Sequence, residues 1–254
     1  MELKKLSNKF YSIYNNSNYP NILRKKNRAY SLYTIEYDNN KYGIPVKTNI
    51  KHSSSFLFKN SGRKQSGEKP GLDYKHSVII KDESYIGGDG HIDSKEMKDL
   101  INNEDKIVND YIKFLKGYIK YVKNPIGKFW ESWRYINTSL EYFWKDLGLI
   151  IPDEAGRRKE IKFSYNIYLI VKNLCKDTKA STGNFLVRKI DDKSVSISYL
   201  SFYVIKNLEL CNINDYIEIV TSYDLNGDIS HSFNKGSCYN NLLNKLNKIL
   251  EKQI

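Results

Sequence analysis

The sequence predicts an α+β protein: antiparallel strands packed with helices and followed by a C-terminal α/β extension of unknown fold. Three observations carry this reading. Residues 28–46 read as strand, turn, strand. Residues 93–122 repeat apolar residues at the period of a helix. Short β-rich runs then return between residues 185 and 223. Strands, then helix, then strands without regular alternation is the pattern of α+β folds.

Arg28–Tyr37 is rich in aromatic and β-branched residues, which suit a pleated strand. Asp38, Asn39 and Asn40 supply turn chemistry, and Lys41–Val46 starts a second strand, so the pair is a hairpin. Residues 59–71 hold Gly, Ser, Lys and Pro with little that is apolar and read as an exposed loop. Ser77–Ile80 is a short apolar strand, and Gly87–Gly90 breaks the chain. Asp93 and Glu96 then form a capping box. Behind it Met97, Leu100, Ile101, Ile107, Val108, Tyr111, Ile112, Leu115, Ile119 and Val122 share one helical face, with a possible interruption at Asn102 and Asn103. Asn124 precedes Pro125, a pairing that disfavours helix and marks its end.

The second half is less regular. Phe129, Trp130, Trp133, Ile136, Leu140, Phe143, Trp144 and Leu147 form an apolar stripe at helical spacing, read as core. Phe185–Ile190, Val195–Ile205 and Tyr216–Tyr223 read as strands, Asn226-Gly227 as a turn, and Leu242–Leu250 as a closing amphipathic helix. The expected division is residues 1–124 and residues 125–254.

Charge is distributed unevenly. Of a net +12, residues 1–81 carry +11, from 16 Lys/Arg against 5 Asp/Glu. Residues 82–124 carry −2 and residues 125–254 carry +3. A concentrated basic surface releases counterions from polyanions, which makes nucleic acid the natural partner class and leaves the second half without a comparable surface. The 21 tyrosines accompany abundant Lys, Asn and Ile, so no tyrosine is a base-stacking platform on composition alone. Cys175, Cys211 and Cys238 lack C-x-x-C spacing and read as free thiols, not as zinc ligands or disulfides. No apolar run nears the roughly 18 residues of a membrane span, and the first residues do not resemble a signal peptide. A cytoplasmic location without membrane association is the expectation.

The chemistry concentrates in two stretches, Lys41–His52 and Gly71–Asp82, separated by the basic loop. The first is a strand ending in an x-Pro-x-[basic or Thr]-[Ser/Thr] turn; the second is a Gly-Leu-containing strand that leads to the long helix. In this order they resemble the ToxN/AbiQ superfamily of type III toxin–antitoxin endoribonucleases. The TenpN branch is most similar: its Phe-Gly-Ile-Pro-Leu-Arg-Ser-type turn resembles Tyr42–Thr48, and its Lys-Gly-Leu-Asp-type strand resembles Pro70–Tyr74. Leu6–Tyr11 resembles that branch's N-terminus. The resemblance covers roughly residues 3–122.

What the resemblance implies is a small twisted antiparallel β-sheet, a partial barrel, packed with helices, and a sequence-selective, metal-independent endoribonuclease, without cofactor, that leaves 2′,3′-cyclic phosphate ends. Such toxins stop growth and block phage infection. They are held inactive by a repeat-encoded RNA antitoxin in a protein–RNA hetero-oligomer. The resemblance further implies an active-site hydroxyl at Thr48, a nearby lysine, and a role for Tyr11. Thr48 stands where serine is commoner, and the lysine spacing differs from the ToxN branch, which leaves Lys47 and Lys51 both open.

The residues suit that chemistry on their own terms. Metal-free RNA cleavage must activate the 2′-hydroxyl, neutralise charge at phosphorus and protonate the 5′-oxygen. Lys47, Thr48, Lys51 and His52 offer two cations, a hydroxyl and a group able to titrate near neutrality. Outside this pattern Thr48 is an ordinary turn hydroxyl, Tyr11 a core ring and His52 a surface polar group. Arg24, Lys25, Lys26 and Arg28, with Arg63 and Lys64 of the loop, are candidate RNA phosphate contacts, the alternative being a solvated basic loop.

Asp224–Asp228 lacks the glycine and glutamate of a calcium loop and reads as a hairpin turn. Asp82, Glu83, Asp89 and Asp93 read as acidic residues near turns and a helix start, not as a metal site. The rival function is a non-catalytic nucleic-acid-binding regulator of a plasmid or phage.

Overall fold

The computed structural model describes residues 2–24, 30–62, 67–178, 185–189, 194–199, 217–223 and 229–234, with side chains to residue 172 except 170. The chain forms two compact units, residues 1–120 with 137–152, and residues 121–136 with 153–254.

The first unit is built on an antiparallel sheet of seven strands that does not close on itself. Strands β1 (Glu2–Leu6), β2 (Ser31–Tyr37), β3 (Asn40–Lys47), β4 (Ser55–Leu57), β5 (Gly71–Asp73) and β7 (Ile86–Asp89) lie in the order β4-β5-β3-β2-β1-β7. Strand β6 (Val78–Ile79) pairs with β3. The expected hairpin is β2–β3, with Tyr37 opposite Asn40. Asp38 and Asn39 take φ of 51° and 59°, the left-handed pair that a tight hairpin turn requires and that Asp and Asn tolerate.

Three strands of this unit were not expected, among them Ser55–Leu57, which pairs with β5. Glu2–Leu6 pairs with β2 on one side and β7 on the other. Ile86–Asp89, read as a break, is the edge strand against β1. Between β1 and β2 lies helix α1 (Asn8–Ile13), whose Ser7 side chain accepts from the Phe10 amide.

Asp93 and Glu96 form the predicted capping box at the start of α2 (Ser94–Asn102). The helix breaks at Asn103, and α3 runs from Glu104 to Lys123. Its inward face matches the predicted one: Leu100, Ile107, Tyr111 and Leu115 are buried in this unit. Ile101 is the exception, exposed beside the interruption.

The apolar stripe of residues 129–147 is not one helix. It is a 3-10 turn at Ile126–Glu131, the short helix α4 (Ser132–Tyr135) and a second 3-10 turn at Ser139–Tyr142. Asn137, at φ 57°, ends the helical path, and the Thr138 hydroxyl caps the next turn. Trp130 points outward, whereas Phe143 and Trp144 are core residues of the first unit. There the Trp144 indole donates to the Tyr118 hydroxyl at 2.8 Å.

The second unit contains α5 (Glu154–Thr178) and an antiparallel sheet in the order β11-β10-β9-β8. Its strands are β8 (Phe185–Lys189), β9 (Ser194–Tyr199), β10 (Ile217–Tyr223) and β11 (Ile229–Asn234). The first three answer predicted strands, and residues 200–205 of the second predicted strand lie outside the described residues. The Asn226-Gly227 turn, the 242–250 helix, Cys211 and Cys238 lie outside the described residues. Among the described residues no helix is long and apolar enough to cross a membrane.

Candidate functional site

Three strands meet where the two motif stretches come together. Strand β5 lies between β3 and β4, with Lys47 opposite Gly71 and Ser55 opposite Asp73. Gly71 is required there: a Cβ would strike the carbonyl oxygen of Phe56 on β4. Asp73 ends β5 and starts a single 3-10 turn, Tyr74–His76, which returns His76 to the side of Asp73. The connection from β3 to β4 is fixed by backbone bonds from Ile50 to Lys69 (3.0 Å) and from Tyr74 to Ser54 (3.1 Å). The Ser55 hydroxyl also donates to the His52 carbonyl at 3.2 Å. His52 is thereby brought to the carboxylate as well.

Asp73 is completely buried and is the centre of the cluster. His76 Nδ1 lies 2.8 Å from Asp73 Oδ2, and Lys47 Nζ donates to the same oxygen at 3.3 Å. His52 Nε2 approaches Oδ1 to 3.1 Å, off the line of a well-formed hydrogen bond. Both ring nitrogens of His52 and Oδ1 of Asp73 are therefore buried without an aligned partner among the described residues. The two imidazole centroids are 6.3 Å apart.

Burial alone would push the Asp73 carboxyl up. His52 and His76, close against the carboxylate, outweigh it and hold the group well below the usual carboxylate range. Asp73 is thus an anion, and a fixed acceptor, throughout the physiological range. Lys75, itself buried, has its ammonium pushed down by desolvation, with Asp73 opposing and Lys47 adding to the shift. Its carbonyl accepts from the Thr138 and Ser139 hydroxyls at 2.6 and 3.3 Å, and Ser139 also donates to Ser77 at 2.5 Å. The turn carrying His76 is therefore anchored from both ends.

The ligand atoms of His52, Asp73 and His76 lie within 4.8 Å of one another, a donor set suited to a transition-metal ion. Lys47 and Lys75 beside the same carboxylate oppose a cation there and favour an anion such as phosphate.

The site residues read from the sequence divide into four groups. Lys47 and His52 join the cluster through Asp73. Thr48 and Lys51 flank it on the same connection, Thr48 half-buried and Lys51 exposed. Tyr11 is held by Arg24: the guanidinium lies 4.8 Å from the ring centroid and donates to the carbonyls of Tyr11 (2.8 Å) and Tyr14. Burial pushes the Tyr11 phenol up to about 12, with Arg24 pulling the other way. Its hydroxyl is buried without a partner among the described residues. Arg24 thus organises the backbone and ring of this segment. Lys25, Lys26, Arg28, Arg63 and Lys64 lie outside the described residues.

The sequence reading passed over Asp73 and His76, although both stood in the Gly71–Asp82 stretch. The available signal was a carboxylate and a histidine three residues apart, directly after a strand. Of the acidic residues near turns, Asp82 caps a turn, Glu83 pairs with Lys41 at 3.0 Å, Asp89 with Lys4 at 3.0 Å, and Asp93 caps α2. The chain matches no family model, no curated protein and no solved structure.

Proposed function

We propose that residues 1–124 form a metal-independent, sequence-selective endoribonuclease, the toxin of an RNA-antitoxin system that acts in the cytoplasm. The observation that carries this reading is the buried Asp73 carboxylate gripping His52, His76 and Lys47 where the two family-like motifs meet. RNA transphosphorylation needs a proton acceptor beside the 2′-hydroxyl and positive charge beside the phosphate. Imidazole and ammonium groups within 3.3 Å of one fixed carboxylate supply both kinds of group. The +11 charge of residues 1–81 supports a polyanionic substrate and an inhibitory RNA partner. Thr48 would orient the substrate hydroxyl, and Lys51 would contact a neighbouring phosphate.

The test is incubation of the purified protein with a mixed RNA pool in EDTA, beside Lys47→Ala and Thr48→Ala, with mapping of the product ends. Discrete cuts bearing 2′,3′-cyclic phosphate and 5′-hydroxyl ends, weakened in both variants, are expected. Tight RNA binding without cuts refutes the nuclease and leaves a non-catalytic regulator.

A further inference from the structure

Resting on that reading, we infer that His76, held by Asp73, is the catalytic base of the reaction and that His52 is a positioning residue. Asp73 is a permanent acceptor, so the 2.8 Å contact to His76 is an Nδ1–H donated to Oδ2. This fixes the ring in the tautomer whose Nε2 carries a lone pair, with a carboxylate behind it to stabilise the imidazolium once a proton arrives. Nε2 is absent from the buried, unpartnered side-chain atoms, unlike both ring nitrogens of His52. His52, enclosed on both nitrogens, cannot reach a substrate hydroxyl without leaving its place and instead braces the far oxygen of Asp73.

The groups facing His76 are Asp73, His52, Lys47 and Lys75. The packed Thr138–Tyr142 segment offers only hydroxyls to this turn, because its Glu141 accepts from Asn21. Lys47 is therefore the cation available to the phosphate as charge grows there.

In the step, the 2′-oxygen forms a bond to phosphorus while the bond from phosphorus to the 5′-oxygen breaks. The proton of the 2′-hydroxyl passes to His76 Nε2. The departing 5′-oxygen takes a proton from water, and the imidazolium returns its proton to the hydroxide so formed. The products are a 2′,3′-cyclic phosphate and a 5′-hydroxyl, with no net consumption of water.

The experiment is the pH dependence of kcat/KM on a short RNA containing the mapped cut site, for the full chain and four variants. His76→Ala is expected to lose about 10²–10⁴-fold, the usual worth of a positioned acid or base. It should also lose the acidic limb of the profile and regain part of the rate with added imidazole. His76→Gln, whose amide keeps a donor to Asp73, should melt like the wild type and be as inactive as the alanine variant. Asp73→Asn should lower kcat/KM, because the imidazolium loses its counter-charge. His52→Gln should slow the reaction while keeping the limb. The assignment is overturned if either His76 variant cleaves within threefold of wild type or retains the limb. It is also overturned if a 5′-thio leaving group, which needs no protonation, restores His76→Ala. A wild type that leaves the RNA intact fails the nuclease reading itself, a result distinct from these.

Discussion

Asp73→Asn tests the electrostatic centre of the site through stability alone. The carboxylate is fully buried and touches Lys47 at 3.3 Å, His52 at 3.1 Å and His76 at 2.8 Å. Asparagine keeps the volume but removes the charge that compensates the buried cation. Removing one partner of a buried pair costs about 3–5 kcal/mol. Lys47 is 28% exposed and can turn toward water, so the lower end applies, about 3 kcal/mol. At about 2–4 °C per kcal/mol for a chain of this size, melting should fall by about 6–12 °C. The pH dependence has a definite sign. A carboxyl held below its unfolded value, about 3.9, contributes stability above that value and loses it as pH falls toward the folded one. Urea and thermal curves at several pH values should therefore show a gap between wild type and variant that does not narrow between pH 7 and 5 and closes in stronger acid. A gap under about 1 kcal/mol at neutral pH, or one already closing by pH 5, refutes the reasoning.

Three further outcomes follow from the same contacts. Tyr118→Phe leaves the buried Trp144 indole N–H without its 2.8 Å acceptor and should cost about 1–3 kcal/mol in urea unfolding; a neutral variant contradicts the packing. Gly71→Ala forces β5 away from the Phe56 carbonyl and should cost about 1–3 kcal/mol or more while lowering RNA cleavage, because Asp73 lies two residues on; unchanged melting would place β5 elsewhere. Lys47→Ala should reduce the slope of log affinity against log salt for single-stranded RNA by about 0.7, the share of one phosphate contact, whereas an unchanged slope removes Lys47 from the phosphate.

Local chemistry made part of the fold legible in the sequence. The Asp38–Asn39 turn, the Asp93/Glu96 capping box and the 3.6-residue repeat from Leu100 to Val122 are short-range features, and each produces the element it predicts. Helix α5 stayed hidden because Ile161–Ile167 alternates apolar and polar residues at the two-residue period of a strand. The Phe129–Leu147 stripe misled in the other direction, since helical spacing persists across a break at Asn137 that no proline or glycine marks. In the site, the motif turn located Lys47 and His52. Asp73 escaped, and His76 beside it, because Lys47 and His52 lie about 26 and 21 residues from Asp73 in sequence and only the β3–β5–β4 pairing unites them. The fold-back of the Arg24 guanidinium on Tyr11 was also hidden, because a basic run looks solvated in one dimension.

On the proposed function, RNA is cut with the substrate's own 2′-hydroxyl. The most direct test is cleavage, in EDTA, of two otherwise identical RNAs, one carrying a single 2′-deoxynucleotide at the mapped cut position. The account predicts cleavage of the all-ribose strand to cyclic-phosphate ends and none at the deoxy position. A cut that persists at the deoxy nucleotide, or that appears only when a divalent ion is supplied, would contradict it.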